Sequence, residues 1–239
     1  MKSKFKIIAH RGASGYEFEN SMSAFKKAIE LKADVIETDV RKTKDNVLIL
    51  SHDDNLHNLT NSNKIISEST FKELEFIKLN NGELIPTVED LLSIHKGEII
   101  FNLEIKVENV EKLLVQLVKK YDLLNHVVFS SFSLDVLMNI KKIEPRAQLQ
   151  FVTIFPHIVF PERNQLKKLA ELGIHALNPL YSLITEDLIK QAREVGLELY
   201  PWTINDMDTI LKMIELGIDG VMTDYPDILN QTSIKVVNF

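Results

Sequence analysis

Two carboxylates placed two residues apart are the first feature of this chain that suggests chemistry. Glu37 and Asp39 lie in one β-branched run, and on a strand that spacing puts both side chains on the same face. Glu104 ends another such run and offers a third carboxylate. Three carboxylates in a chain without cysteine predict an all-oxygen site for Mg²⁺ or Ca²⁺. The alternative is that Glu37 and Asp39 only form ion pairs with Arg11 or Lys106.

Two histidines at predicted strand ends are the second feature: His10 adjoins Arg11, and His52 adjoins Asp53. Imidazoles titrate near neutral pH, so two of them flanking a phosphate can act as general base and general acid. Arg11 and Lys106 would neutralise non-bridging phosphate oxygens, Arg through a two-pronged fork and Lys as a point charge. A metal, two cations and an acid–base pair together indicate phosphoryl transfer. The remaining histidines are assigned to packing or to the surface: His57, His95, His126, His157 and His175.

Short β-branched runs alternate with longer runs of helical period, which predicts eight strand–helix units. The predicted strands are 5–9, 34–40, 98–105, 127–130, 148–153, 175–178, 197–200 and 220–223, with an added strand or extension at 46–51. Eight parallel units of this length favour a closed (β/α)8 barrel over an open doubly wound sheet. Neither a dinucleotide fingerprint nor a P-loop follows the first strand. Functional residues of such a barrel lie at the C-terminal ends of its strands, where the ionisable residues above fall.

Local signals mark several helix ends. Three predicted helices stop at a glycine that a strand follows directly, namely Gly173, Gly196 and Gly217. Thr87 and Asp90 have the spacing of a capping box, which predicts a helix through Ile94. The helix after the first strand has two candidate caps, Asn20 and Ser21.

Composition limits the function classes. The chain has 239 residues, no cysteine and a formal net charge of −6. A disulfide framework and a thiolate metal site are therefore excluded, and the acidic balance argues against a nucleic-acid partner. No segment approaches the ~18 apolar residues of a membrane span, and the N-terminal apolar run is shorter than a signal-peptide core. We expect a single cytoplasmic domain without stable membrane insertion, whose oligomeric state the sequence leaves open.

An ordered set of motifs resembles the glycerophosphodiester phosphodiesterase family. The motifs are HRGA at 10–13, ENS at 19–21, ETDV at 37–40, HD at 52–53, NLEIK at 102–106, WTIN at 202–205 and GIDGVMTDYP at 217–226. Each motif is weak alone, but together they follow the family's order and cover nearly the whole chain. One departure lies after the HD pair, where Asn58 stands at a position that the family often fills with Arg.

The resemblance implies a single TIM-barrel domain over 1–239, with a small insertion after the second strand at about 53–86. It implies hydrolysis of glycerophosphodiesters to an alcohol and sn-glycerol 3-phosphate. The partner would be a small glycerophosphodiester, and the cofactor would be one divalent cation, Mg²⁺ or Ca²⁺ with Mn²⁺ as a third candidate.

Roles for individual residues follow from the matching positions. The acid–base pair would be His10 and His52, and phosphate contacts would come from Arg11 and Lys106. The metal ligands would be Glu37, Asp39 and Glu104. Substrate contacts are also expected from Asn20, unless it caps the helix, and from Trp202, whose position at a strand end suits an apolar wall.

Two other functions remain open from the sequence. A lysophospholipase D acting on single-chain lipids would use the same residues and would need an apolar mouth, for which 155–161 is the candidate loop. A non-catalytic phosphodiester-binding protein would be expected to lack a histidine or a carboxylate of the set, and this chain retains them all.

Overall fold

The structure is a computed structural model that describes residues 4–154 and 163–231. Its strands are β1 (Lys6–Ala9), β2 (Val35–Lys42), β3 (Leu48–Leu50), β4 (Ile100–Ile105), β5 (Val127–Ser131), β6 (Gln148–Thr153), β7 (Ala176–Pro179), β8 (Glu198–Leu199) and β9 (Gly220–Thr223). Eight of these pair in the order β8-β7-β6-β5-β4-β2-β1-β9, and every pairing along this path is parallel. Backbone bonds also join β9 to the segment after β8, with 3.0 Å from Met222 N to Pro201 O and 3.0 Å from Ile204 N to Met222 O. The predicted (β/α)8 barrel is confirmed.

Helices surround the barrel. They are α1 (Met22–Glu30), α2 (Phe71–Leu74), α3 (Val88–Ser93), α4 (Glu111–Lys120), α5 (Leu134–Ile143), α6 (Arg163–Glu171), α7 (Glu186–Glu194) and α8 (Met207–Leu216). Their starts use side-chain caps that satisfy a free backbone N–H, as at Ser21, Thr87, Ser133, Thr185 and Asp206. The three predicted glycine stops all have left-handed backbones, with φ of 85°, 77° and 84°. None of the described helices is long and apolar enough to cross a membrane.

Several predicted boundaries shift. The added strand expected at 46–51 is β3, which has only three residues and pairs antiparallel with β2. The reason is a tight turn at Asn46, whose φ is 67° and whose N–H bonds to Thr43 O, so the chain reverses before the strand begins. The helix predicted from residue 161 begins in the described residues at Arg163.

Three apolar clusters hold the fold together. The largest fills the space between barrel and helices, around residues such as Ile36, Phe101, Leu103 and Phe129. A second cluster joins β3 to the long segment that follows it and consists of Ile49, Leu56, Leu59, Ile66, Leu74, Leu79 and Ile85. The third lies around Tyr200, which is 1% exposed and packs with Ile8, Val35, Ala176 and Met222.

His175 is expected to make stability depend on pH. It precedes β7, its Nδ1 is buried without a hydrogen-bond partner among the described residues, and burial lowers the pKa of its imidazole to about 4. Because this folded-state pKa lies below the unfolded value near 6.5, the stabilisation is complete above about pH 6.5. It is lost as the pH falls toward 4, by on the order of 2 kcal/mol.

Thermal unfolding measured from pH 7 to pH 4 checks this expectation. His175→Phe should flatten the decline in Tm over that range. His57→Phe serves as the control, because His57 is exposed and its imidazole Nδ1 bonds to the exposed Asn63. Parallel Tm profiles for the wild type and His175→Phe would contradict the burial argument.

Candidate active site

A strained turn after β1 fixes the first two site residues. Arg11 has a φ of 54°, its N–H donates to Glu37 Oε2 at 2.9 Å, and its carbonyl accepts from Asn20 N at 3.0 Å. Gly12 follows with a φ of 83°, and a Cβ there would lie 2.8 Å from the backbone of Ala24. Only glycine fits this close approach of turn and helix. The turn thereby delivers the His10 and Arg11 side chains to the C-terminal mouth of the barrel.

The three predicted carboxylates meet because of strand register. Asp39 on β2 is the direct partner of Glu104 on β4, and Glu37 lies two residues earlier on the same face. One oxygen from each side chain lies within 4.8 Å of the other two. All three residues are buried, with 1%, 1% and 8% of Glu37, Asp39 and Glu104 exposed.

The positive charges of Lys106 and Arg11 compensate only part of the negative charge of these three carboxylates. Lys106 Nζ lies 2.5 Å from Glu104 Oε1 and 3.1 Å from Asp39 Oδ1, and Arg11 Nε lies 3.4 Å from Asp39 Oδ2. Burial raises the pKa of Asp39, but Lys106 and Arg11 outweigh it and bring that pKa below its usual value. Burial and the neighbouring carboxylates raise the pKa of Glu37 well above its usual value, and burial also raises that of Glu104. Among the described residues, Glu37 pairs with no cation.

A fourth carboxylate deepens the imbalance. Arg11 Nη1 donates to both oxygens of Glu19, at 2.9 and 3.0 Å. Glu19 therefore uses much of the guanidinium charge, and four carboxylates face two cations. The excess of two negative charges, the all-oxygen donor set and the absence of cysteine fit a divalent hard cation held by Glu37, Asp39 and Glu104. A network of ion pairs alone would leave Glu37 uncompensated.

His10 is held by a carboxylate of its own. Its Nδ1 lies 2.7 Å from Asp224 Oδ1, and the same oxygen accepts from Ser14 Oγ at 2.8 Å. Asn205 Nδ2 donates to the other oxygen of Asp224 at 2.5 Å. Burial raises the pKa of Asp224, but the bonds from His10, Ser14 and Asn205 outweigh it and lower that pKa, so Asp224 is charged at neutral pH. With Nδ1 occupied, Nε2 is the ring nitrogen left for chemistry.

His52 has the same kind of support in a more open setting. Its Nδ1 lies 2.8 Å from Asp53 Oδ1, and the two side chains are 38% and 47% exposed. Both histidines therefore have a carboxylate on Nδ1, and Nε2 of each ring has no hydrogen-bond partner within residues 4–154 and 163–231.

One cavity brings most of the predicted residues together. Its lining is His10, Arg11, Asp39, His52, Glu104, Lys106, Phe132, Val152, Trp202 and Met222. The first six residues make an ionic side. The others make an apolar side, on which the Trp202 and Phe132 rings stand edge to face at 6.0 Å. Trp202 is oriented by its Nε1, which donates to Asn178 O at 2.8 Å.

Asn20 lies behind the cavity wall. Its amide donates to Asp39 Oδ2 at 2.9 Å and accepts from Thr38 Oγ1 at 2.6 Å, and the residue is 2% exposed. Ser21, the other candidate, caps α1 by accepting from Ala24 N. The side-chain hydrogen bonds of Asn20 thus connect it to Asp39 and Thr38, and the substrate contact that the sequence suggests stays a prediction.

Four polar supports of the site have no role predicted from the sequence. Asp224 has one visible signal, its position directly after the last predicted strand. Glu19 and Asn205 have none beyond membership of the motifs and Ser14 has none at all, because their partners are set by the paths of loops. The apolar loop predicted at 155–161 lies outside the described residues.

Comparison with known proteins identifies the family. The sequence profile of the glycerophosphoryl diester phosphodiesterase family matches residues 10–228, nearly the whole chain. The chain belongs to this family. A glycerophosphodiester phosphodiesterase of Caldanaerobacter subterraneus subsp. tengcongensis is 32% identical over 95% of this chain and 96% of its own length. Membership confirms the prediction that the chain is a phosphoric diester hydrolase.

Solved structures of this phosphodiesterase family share the barrel. A glycerophosphodiester phosphodiesterase from Parabacteroides distasonis is 28% identical, with a TM-score of 0.84 and coverage of 97% of each chain. An Oleispira antarctica phosphodiesterase, 24% identical with a TM-score of 0.84 over 95% of each chain, was solved in complex with the product sn-glycerol 3-phosphate.

Proposed function

We propose that this phosphodiesterase hydrolyses glycerophosphodiesters to an alcohol and sn-glycerol 3-phosphate and requires a divalent cation. The observation that carries the proposal is one cavity lined by two carboxylate-backed imidazoles and two cations, next to a buried acidic cluster with two excess negative charges. The substrate class is supported by the names of the relatives and by the product bound to the Oleispira antarctica protein.

The cation would be held by Glu37, Asp39 and Glu104. When bound, it would act as a Lewis acid that stabilises negative charge on the phosphoryl oxygens. Asn20 keeps one ligand in place, since its amide hydrogen bond fixes Asp39 Oδ2. The backbone N–H of Arg11 does the same for Glu37 Oε2.

Arg11 and Lys106 would bind the phosphodiester itself. Both line the cavity, and both are already held by carboxylates, so they lose little freedom when substrate arrives. Glu19 positions the Arg11 guanidinium through Nη1, which leaves Nη2 without a partner among the described residues. Lys106 supplies a point charge from the C-terminal end of β4.

The two histidines would carry the protons. One imidazole accepts a proton at Nε2 from the attacking hydroxyl, as that oxygen forms its bond to phosphorus. The other, protonated at Nε2, gives its proton to the alcohol oxygen as the P–O bond breaks. Asp224 would stabilise the imidazolium form of His10, and Asp53 that of His52, because each carboxylate contacts Nδ1 of its histidine. The attacking oxygen is either that of water, which gives glycerol 3-phosphate directly, or that of the substrate's own 2-hydroxyl, which gives a cyclic phosphate that water then opens to glycerol 3-phosphate.

A comparison of substrates tests the proposal. We expect glycerophosphocholine to be cleaved with release of glycerol 3-phosphate, and lysophosphatidylcholine to be cleaved at a kcat/KM at least tenfold lower. Faster turnover of lysophosphatidylcholine would favour the lysophospholipase D function instead. An analogue of glycerophosphocholine that lacks the 2-hydroxyl separates the two nucleophiles, since full turnover of it would require water. Absence of turnover on every phosphodiester would overturn the proposed function.

A further inference from the structure

His52 differs from the other ionisable groups of the cavity in the part of the backbone that carries it. His10 and Arg11 directly follow β1, Asp39 and Glu104 lie within strands, and Lys106 directly follows β4. His52 instead lies on the loop after β3, a three-residue strand outside the eight-stranded path that pairs antiparallel with β2 and bridges Thr87 through Ile49. Proton transfer requires its ring to be placed within about 0.5 Å, which a loop alone does not ensure.

Arg41 supplies the missing anchor. It lies two residues after Asp39 on β2, so it projects from the same face of that strand. Its Nε and Nη2 both donate to the carbonyl oxygen of His52, at 2.8 and 2.7 Å. Within residues 4–154 and 163–231, no carboxylate forms an ion pair with Arg41. The guanidinium is thus committed to the backbone of a single residue.

Contacts on either side of His52 complete the attachment. Ser51 N donates to Asp39 O at 3.0 Å, and Ser51 Oγ donates to Asp53 O at 2.8 Å. These bonds fix the loop before and after His52, while Arg41 fixes the peptide group of His52 itself. The strand β2 therefore carries two candidate metal ligands, Glu37 and Asp39, and also Arg41, which holds the loop of His52.

We propose that Arg41 is a positioning residue for His52. It fixes the carbonyl of His52 with a two-pronged fork and thereby sets the direction in which the imidazole enters the cavity; this rests on the proposed function of His52 in proton transfer. A direct phosphate contact is not its role, because Arg41 does not line the cavity and its Nε–Nη2 edge is occupied by the carbonyl. Lysine cannot replace it, since an ammonium lacks the planar fork.

Steady-state kinetics with glycerophosphocholine test the proposal. Arg41→Met and Arg41→Lys are expected to lower kcat at least tenfold and to leave KM within about twofold, because misplacement of a proton donor or acceptor slows chemistry without removing a substrate contact. Arg193→Met is the matched control, since Arg193 also donates to a backbone carbonyl, Gly217 O at 3.0 Å, away from the cavity. A wild-type kcat in Arg41→Met, or a raised KM with unchanged kcat, would overturn the proposal.

A double-mutant cycle separates positioning from a general loss of structure. On a glycerophosphodiester with a nitrophenyl leaving group, Arg41→Met should have no further effect in a His52→Ala background, because Arg41 acts through the missing ring. If the two substitutions instead lowered kcat by factors that multiply in the double variant, Arg41 would not act through His52.

A measurement that needs no turnover covers the case in which the proposed function itself fails. NMR relaxation of the His52 backbone amide should show greater mobility in Arg41→Met than in the wild type and in Arg193→Met. An unchanged order parameter would contradict the proposal that Arg41 positions His52. An inactive wild type whose His52 loop becomes mobile in Arg41→Met would contradict only the proposed function.

Discussion

Asp39→Asn is expected to reduce phosphodiester hydrolysis by at least 10³-fold and to abolish stabilisation of the protein by divalent cations. Asp39 is 1% exposed and contacts Lys106, Arg11 and Asn20, so it is the most connected member of the acidic cluster. Its replacement removes one ligand charge and halves the charge excess that the cation would neutralise. A loss of this size corresponds to about 4 kcal/mol in the barrier.

Unfolding temperatures measured with Ca²⁺, Mg²⁺ or EDTA test the part of this prediction that concerns cation binding. A ligand that binds only the folded state raises Tm, and raises it more the further the ligand concentration exceeds its Kd; we expect this rise in the wild type and not in Asp39→Asn. Asp208→Asn is the control, because Asp208 is exposed on α8 and far along the chain from the cluster. A metal-dependent rise in Tm that survives Asp39→Asn would place the cation elsewhere.

Glu37→Gln should behave differently from Asp39→Asn when metal is absent. The pKa of Glu37 is raised in the folded state, so its ionisation opposes folding as the pH rises above its unfolded value near 4.5. In EDTA at neutral pH, Glu37→Gln is therefore expected to be more stable than the wild type, while being just as inactive as Asp39→Asn. A destabilised Glu37→Gln in EDTA would contradict the charge assignment.

His10→Ala is expected to lower kcat by 10²- to 10⁴-fold, or about 3 to 5 kcal/mol, because it removes one of the two proposed proton-transfer groups. Asp224→Asn should lower kcat at least tenfold without unfolding the protein. The carboxylate that accepts from His10 and Ser14 would become an amide, which lacks the charge that stabilises the imidazolium.

Matched controls are available for both substitutions. Asp227→Asn changes a carboxylate three residues further along that bonds to Tyr16 and not to His10. His57→Ala removes an exposed imidazole. Both should keep wild-type kcat. Full activity in Asp224→Asn would show that His10 needs no carboxylate support, and full activity in His10→Ala would remove it from the mechanism.

The site was predictable where it depends on strand periodicity. Residues at the C-terminal ends of parallel strands converge on one mouth, and this rule alone gathers His10, Asp39, Glu104 and Lys106. The same-face placement of Glu37 and Asp39 follows from the two-residue period of a strand. The register that makes Asp39 the partner of Glu104 brings the carboxylates of two strands together, which the sequence pattern of either strand alone does not show.

The supports around the site were not predictable, because they depend on the conformation of single loop residues. Asn20 has a φ of 52°, which turns its amide toward Asp39 and leaves the capping of α1 to Ser21. Arg41 reaches His52 only because the hairpin reverses tightly at Asn46. No pattern of residue types encodes these two contacts.

One assay tests the proposed metal dependence: the release of glycerol 3-phosphate from glycerophosphocholine by the purified wild type, before and after EDTA. We predict that EDTA reduces the rate to background and that adding back Mg²⁺, Ca²⁺ or Mn²⁺ restores it, because the proposed ligands Glu37, Asp39 and Glu104 would hold a divalent cation that binds and activates the phosphodiester. A full rate in EDTA, or no release with any of the three cations, would contradict it.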